Sequence, residues 1–102
     1  MTERITSDQF SAADGVGDWR VRDDVASARF RTGSFAVGVA LVQAIGSLAD
    51  AANHHPDVDL RYPDVTVRLS THEVGGLSER DIALARQISE AARELDAPAD
   101  SD

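Results

Sequence analysis

Apolar and polar residues alternate along two parts of this chain, and each alternating part is followed by a stretch of helical spacing. Trp19 and Val21 alternate with Arg20 and Arg22, and beyond Asp23-Asp24 the residues Ala26, Ala28 and Phe30 alternate with Ser27, Arg29 and Arg31. Period-two patterning on both sides of a short polar break predicts a hairpin, with Asp23-Asp24 as its turn. From Ser34 to about Asn53 the spacing changes. Phe35, Val39, Val42, Ile45, Leu48 and Ala52 step by three or four, while Val37, Leu41 and Ala44 make the opposite flank apolar too. A helix apolar nearly all round is buried on more than one side. In a small domain one side faces the sheet and the other a second copy. A homodimer or homotetramer, formed through residues 34–53 or a sheet edge, is therefore expected.

The pattern then repeats. Val58, Leu60 and Tyr62 alternate with Asp59 and Arg61, Pro63-Asp64 makes a turn, and Val65, Val67 and Leu69 alternate with Thr66, Arg68 and Ser70. Continued alternation puts His72 on the face of Arg68 and Ser70, at the accessible end of that strand. Gly75-Gly76 breaks the chain. Ser78 and Asp81 resemble a capping box, Leu77 and Ile82 a hydrophobic staple, and Ile82, Ala85, Ile88, Ala92 and Leu95 form one stripe. Near the start, Thr6 or Ser7 caps a short helix through Phe10 to Ala13, which Gly15 and Gly17 end. The order α-β-β-α-β-β-α predicts an α+β two-layer sandwich: a four-stranded antiparallel sheet with helices on one face. Residues 1–95 read as a single domain, and the acidic, small-residue tail 96–102 as disordered.

Composition narrows the function classes. All ten basic residues are arginine, against eighteen Asp plus Glu, for a formal net charge of −8. Such an acidic chain is poorly suited to phosphate backbones, so no nucleic acid partner is expected. Without cysteine there is no disulfide, thiolate nucleophile or zinc-thiolate site. The polar, acid-bearing stretch from Met1 to Gln9 does not resemble a secretory signal. The uninterrupted apolar run Phe35 to Val42 is too short to span a bilayer, so no membrane partner is expected. A cytoplasmic setting follows as the expectation. The lack of lysine points to an arginine-biased bacterial genome.

His54-His55-Pro56 and His72 gather all three histidines into nineteen residues. Imidazole gives and takes a proton near neutrality, so such a cluster suggests a proton-transfer site. Asp50 lies four residues before His54, a spacing that pairs them on one helical face if the helix persists to His54. Pro56 disfavours helical geometry at His55 and reads as the device that ends the helix there. The adjacent histidines would then project in different directions around a small ligand.

These residues resemble a known family. Asp50-x-x-x-His54-His55-Pro56, then Tyr62, His72 and Asp81, are similar at these intervals to the pterin-4a-carbinolamine dehydratases. The likeness extends through Thr71-His72-Glu73 and Gly76-Leu77-Ser78-Glu79-Arg80-Asp81-Ile82, and covers roughly Trp19 to Ile88. Asp50 departs from it, since the family more often carries Glu there. The resemblance implies loss of water from a 4a-hydroxytetrahydropterin, with His54 and His72 as acid/base residues and His55 as a pterin binder that also assists. It implies Pro56, Thr71, Glu73 and Val74 around the substrate. Asp50, Tyr62, Asp81 and Trp19 take orienting or structural places. No cofactor or metal is implied, pterin being the substrate, and a pterin-dependent hydroxylase would lie upstream. Two other classes compete: a mixed nitrogen/oxygen metal site built from the histidines and Asp50, and a catalytically silent module that binds pterin or a protein partner, as dimerisation cofactors in the family do.

Overall fold

A computed structural model of the protein describes residues 2–100. The elements follow in the expected order. They are α1 (Ser7–Ala12), β1 (Arg20–Arg22), β2 (Val25–Arg31), α2 (Phe35–Ala52), β3 (Asp57–Leu60), β4 (Asp64–Leu69) and α3 (Glu79–Glu94), with a 3-10 turn at His72–Val74. The four strands pair antiparallel in the order β1-β2-β4-β3. The sheet is thus a pair of hairpins joined through β2 and β4, with α2 as the crossover.

Register explains the layers. Ala26, Ala28 and Phe30 lie opposite Leu69, Val67 and Val65, and Val58 and Leu60 extend the same face across β3. That face is buried beneath Phe10, Leu41, Ile45, Leu84 and Ile88 from the helices. Arg29, Arg31 and Arg68 stand exposed on the other face, as strict alternation requires. Trp19 sits at 5% exposure, edge-on to Phe30 with centroids 6.1 Å apart, and its indole N–H donates to Ser89 Oγ at 2.9 Å. It is a core residue.

Helix α2 starts at Ser34, whose hydroxyl accepts from the Val37 N–H. Gly38, Leu41, Ile45 and Ala49 form its buried stripe. At Gly38 a Cβ would come within 2.7 Å of Leu60 Cδ1, so its absence lets the helix lie close to β3. By length and composition this 18-residue helix, mean hydropathy 1.6, is apolar enough to cross a membrane. Counting only the unbroken run from Phe35 missed that. One side of it carries the buried stripe that packs on the core, and the other side is apolar too.

The tail departs from expectation as far as it is described; its last two residues lie outside the described range. Ala97 is buried, and Arg31 N–H donates to Pro98 O at 2.8 Å while Asp100 N–H donates to Arg29 O at 2.7 Å. Phe30 and Ala99 form an antiparallel bridge, and Arg29 pairs with Asp100. The reason is geometric: β1 covers only Val25 to Ser27 of β2, leaving the edge at Arg29–Arg31 for the tail to pair. Composition carries no trace of that vacancy. Deleting residues 96–102 should lower stability by about 2 kcal/mol, from two lost backbone hydrogen bonds and the Ala97 contact. A urea midpoint equal to that of the full chain would show the tail to be idle.

Candidate active site

The site forms where three chain segments end: the C-terminus of α2, the C-terminus of β4 and the N-terminus of α3. Helix α2 stops at Ala52 because Asn53 adopts the left-handed conformation (φ 49°, ψ 45°). Asn53 N–H then bonds Asp50 O at 3.2 Å and His54 N–H bonds Ala49 O at 3.1 Å, the Schellman closure. Asn53 is the stop, and Pro56 merely lies beyond it, just before β3. This corrects the role given to Pro56.

The early stop also changes the carboxylate partners. Because the helix does not reach His54, the four-residue spacing from Asp50 no longer brings the two together. Asp50 Oδ1 instead meets His55 Nε2 at 3.0 Å, on the surface, with both side chains largely exposed. His54 is buried at 8% exposure and meets Asp81 at 2.6 Å between Nε2 and Oδ1. Asp81 is fully buried.

Asp81 is held from three directions. Its Oδ2 accepts from the Ser78 backbone N–H at 3.0 Å and from Thr71 Oγ1 at 2.8 Å, while Oδ1 faces His54. The donors sort themselves. Arg80 N–H donates to Ser78 Oγ at 3.2 Å, Ser78 Oγ–H turns to Thr71 Oγ1 at 2.6 Å, and Thr71 then donates to Asp81. With Oδ2 satisfied by donors, His54 Nε2 is the remaining donor, and Nδ1 is left as the nitrogen able to accept a proton. The capping box expected of Ser78 and Asp81 is present, but its acid also fixes a histidine tautomer.

The third histidine sits differently from the reading as a strand residue. Strand β4 ends at Leu69, and the Thr71 N–H bonds Gly76 O at 2.6 Å to close a tight turn over His72–Val74. Gly75, at φ 65°, makes the reversal that a side chain would resist. His72 is exposed at the tip of that turn, and its ring makes no hydrogen bond or ion pair with the described residues. It lines a concavity of about 220 Å³ with Thr71, Gly75 and the Asp23-Asp24 turn. His54 and His55 are not among the residues lining it.

The other expected residues divide. Thr71 is buried inside the network; Glu73 is exposed and Val74 half-buried on the His72 turn; Pro56 is half-buried. Tyr62 is 69% exposed before the start of β4, about 20 Å of strand from the His72 end, so it does not belong to the site. One participant went unread. Arg80 Nη1 donates to Glu73 Oε1 at 2.8 Å and Nη2 to Asn53 O at 2.7 Å, tying the His72 turn to the loop that carries His54. Its signal was available: a cation in the first turn of a helix opposes the dipole and calls for a tertiary partner. Among the described residues no three His, Asp or Glu side chains are grouped as a metal would need.

An α+β sandwich with a carboxylate-anchored histidine pair and a free histidine on the next turn defines a class of small histidine-bearing α+β domains. Comparison narrows it. The fold matches the crystal structure of a transcriptional coactivator/pterin dehydratase from Brucella melitensis, with TM-score 0.78 and 27% identity over 88% of this chain and 99% of that one. A Nocardia farcinica protein named provisionally as a pterin-4-alpha-carbinolamine dehydratase is 44% identical over 91% of this chain and its own entire length. An Aquifex aeolicus protein of the same provisional name is 42% identical over 76% of this chain and 78% of its own. The family model of pterin 4 alpha carbinolamine dehydratase spans residues 3–91. The chain belongs to that family, whose members are hydro-lyases.

The network sets the expected cost of disrupting it. Asp81→Ala should destabilise by about 3–5 kcal/mol, because buried donors lose a charged acceptor. Arg80→Ala, part-exposed, should cost under about 1 kcal/mol. Urea unfolding of the two variants compares them, and equal costs would mean the carboxylate is not the anchor.

Proposed function

We propose that the protein dehydrates a 4a-hydroxytetrahydropterin by histidine acid/base catalysis, recycling a tetrahydropterin downstream of a pterin-dependent hydroxylase. The Asp81 carboxylate carries the reading, because it binds the segment bearing His54 to the one leading into His72. The chemistry matches what these side chains offer. The C4a–O bond breaks as the hydroxyl takes a proton and leaves as water. The N5–H proton departs, and the N5=C4a double bond of the quinonoid dihydropterin forms. One proton enters and one leaves, so the elimination requires no redox partner. Two imidazoles near neutral pH can each supply about 10²- to 10⁴-fold.

The two histidines suit different parts of this exchange. His54, with Nε2 committed to Asp81, has one nitrogen left for a proton and a fixed ring orientation. His72 is exposed on its turn and has no partner among the described residues. His55, at the surface beside Asp50, takes the role of a pterin-binding residue. Thr71 orients Asp81, while Glu73 and Val74 shape the turn that carries His72. His72→Ala should lower the rate by about 10²-fold or more with the fold retained, and His54→Ala should do the same at a cost in stability, because Asp81 Oδ1 loses its donor. The assay is a stopped-flow measurement on 4a-hydroxytetrahydropterin against its spontaneous dehydration. Wild-type rates in both variants would refute the assignment.

Self-association is part of the proposal. Only 22% of the apolar window of α2 is buried, and Phe35 stands 50% exposed at its start. A second copy covering that side would explain an apolar flank which the fold leaves in contact with water. Sedimentation velocity at micromolar concentration should show a dimer or tetramer, and Leu48→Asp should shift it towards monomer. A wild-type monomer under those conditions would remove the association.

A further inference from the structure

We propose that Asp24 is a specificity-determining residue of the same site, its carboxylate receiving the N–H donors of the substrate's 2-amino-4-oxopyrimidine edge. The inference rests on the pterin reading and deepens it. It begins with the concavity beside His72, whose opposite wall is the β1–β2 turn, Asp23 and Asp24. Both turn residues adopt positive φ, 54° and 61°. Hairpin turns of that geometry favour Asn-Gly, and glycine enters the region freely where aspartate does so at a cost. Two aspartates therefore hold a left-handed conformation, at a cost glycine would avoid, in the wall of the concavity that His72 also lines. Strain of this kind collects where a side chain is needed for contact with a ligand.

A second segment holds Asp24 in place. Ile5 N–H donates to Leu77 O at 2.8 Å and so lays the N-terminal strand segment along the Gly76–Leu77 backbone. Arg4 then passes over Gly76, where a Cβ would come within 2.8 Å of its Nε, and donates from Nη2 to Asp24 Oδ2 at 2.6 Å. The missing side chain at Gly76 leaves room for the guanidinium that positions the carboxylate. An ionised carboxylate has about four lone-pair sites, so a single arginine contact leaves acceptor capacity for a ligand.

The chemistry selects this group. The pyrimidine edge of a pterin presents adjacent donors, from the 2-amino group and N3, and a carboxylate accepts two parallel N–H bonds with charge assistance. The other acids near the histidines are placed otherwise: Asp81 is committed to its three donors and Asp50 to His55, while Glu73 does not line the concavity. Asp23 shares the wall but is exposed, whereas Asp24 is half-buried and oriented.

The test compares binding of pterin with binding of lumazine, which carries an oxo group in place of the 2-amino donor. Fluorescence titration of the full chain should show pterin favoured by about ten- to a hundredfold. Asp24→Asn, which places an amide donor against the ligand's donors, should erase that preference. Asp24→Gly should erase it too while raising Tm, since the backbone strain is relieved. If either variant keeps the wild-type ratio, Asp24 does not read the edge, and the dehydratase reading stands. If the wild-type protein binds neither pteridine, both readings fall together.

Discussion

A carboxylate with no access to water must find donors enough to replace its hydration, and Asp81 is fully buried. Leaving such a charge uncompensated costs several kcal/mol, comparable with the whole stability of a small domain. Its donors come from the residue after the α2 stop, from the strand end at Thr71 and from the α3 cap at Ser78. One side chain therefore decides how three chain ends meet. The histidines follow as a consequence. His54 is itself one of the donors, and His72 is the neighbour of another. Arg80 repeats the constraint from outside, joining Asn53 O and Glu73 in the same turn of helix.

Much of the architecture was legible because each element carried its own periodicity. The alternation around Phe30 and Val67, the spacing through Ile45, and the Ser78 cap each agreed with the layer they occupy. The errors arose where a local rule met a tertiary contact. The pairing of Asp50 with His54 presumed a helix that continues, and Asn53 in the left-handed region removed that premise. His72 was read as the next residue of a strand, yet the Thr71–Gly76 closure had already turned the chain. The acidic tail from Asp96 reads as disordered in sequence, and only the short reach of β1 along β2 gives it an edge to pair with. In each case the deciding partner lies many residues away, where no window of sequence holds both. The histidine cluster, with Asp50 and Pro56, was legible from the residues themselves, whereas Thr71, Glu73 and Val74 rest on resemblance, which preserves identity and spacing but says nothing of who bonds whom.

Both chain ends act as short strands added to the domain. Ile5 bridges Leu77 beside the site, and Ala99 bridges Phe30 on the edge that β1 leaves bare. The two additions have different consequences. The N-terminal one brings Arg4 against Asp24, in the wall of the His72 concavity. The C-terminal one lies beyond residue 91, where the family match ends, and serves the sheet. An unpaired strand edge invites pairing with other chains. The tail covers that edge, while among the described residues nothing pairs with the outer edge of β3.

Three histidines in one small domain occupy three electrostatic situations, and that difference is itself informative. His54 is buried and bound to a carboxylate that is fully satisfied. His55 is exposed beside an exposed acid, where solvent screens most of the attraction. His72 is exposed with no partner among the described residues. If the cluster only stabilised the fold, the unpartnered imidazole would have no reason to be held on a tight turn that needs Gly75 at positive φ. The fold spends conformational freedom on both walls of the His72 concavity, in the left-handed residues of the hairpin and in the glycine reversal. That both persist across the same small space argues that the space, rather than the turn, is what the chain is built to present.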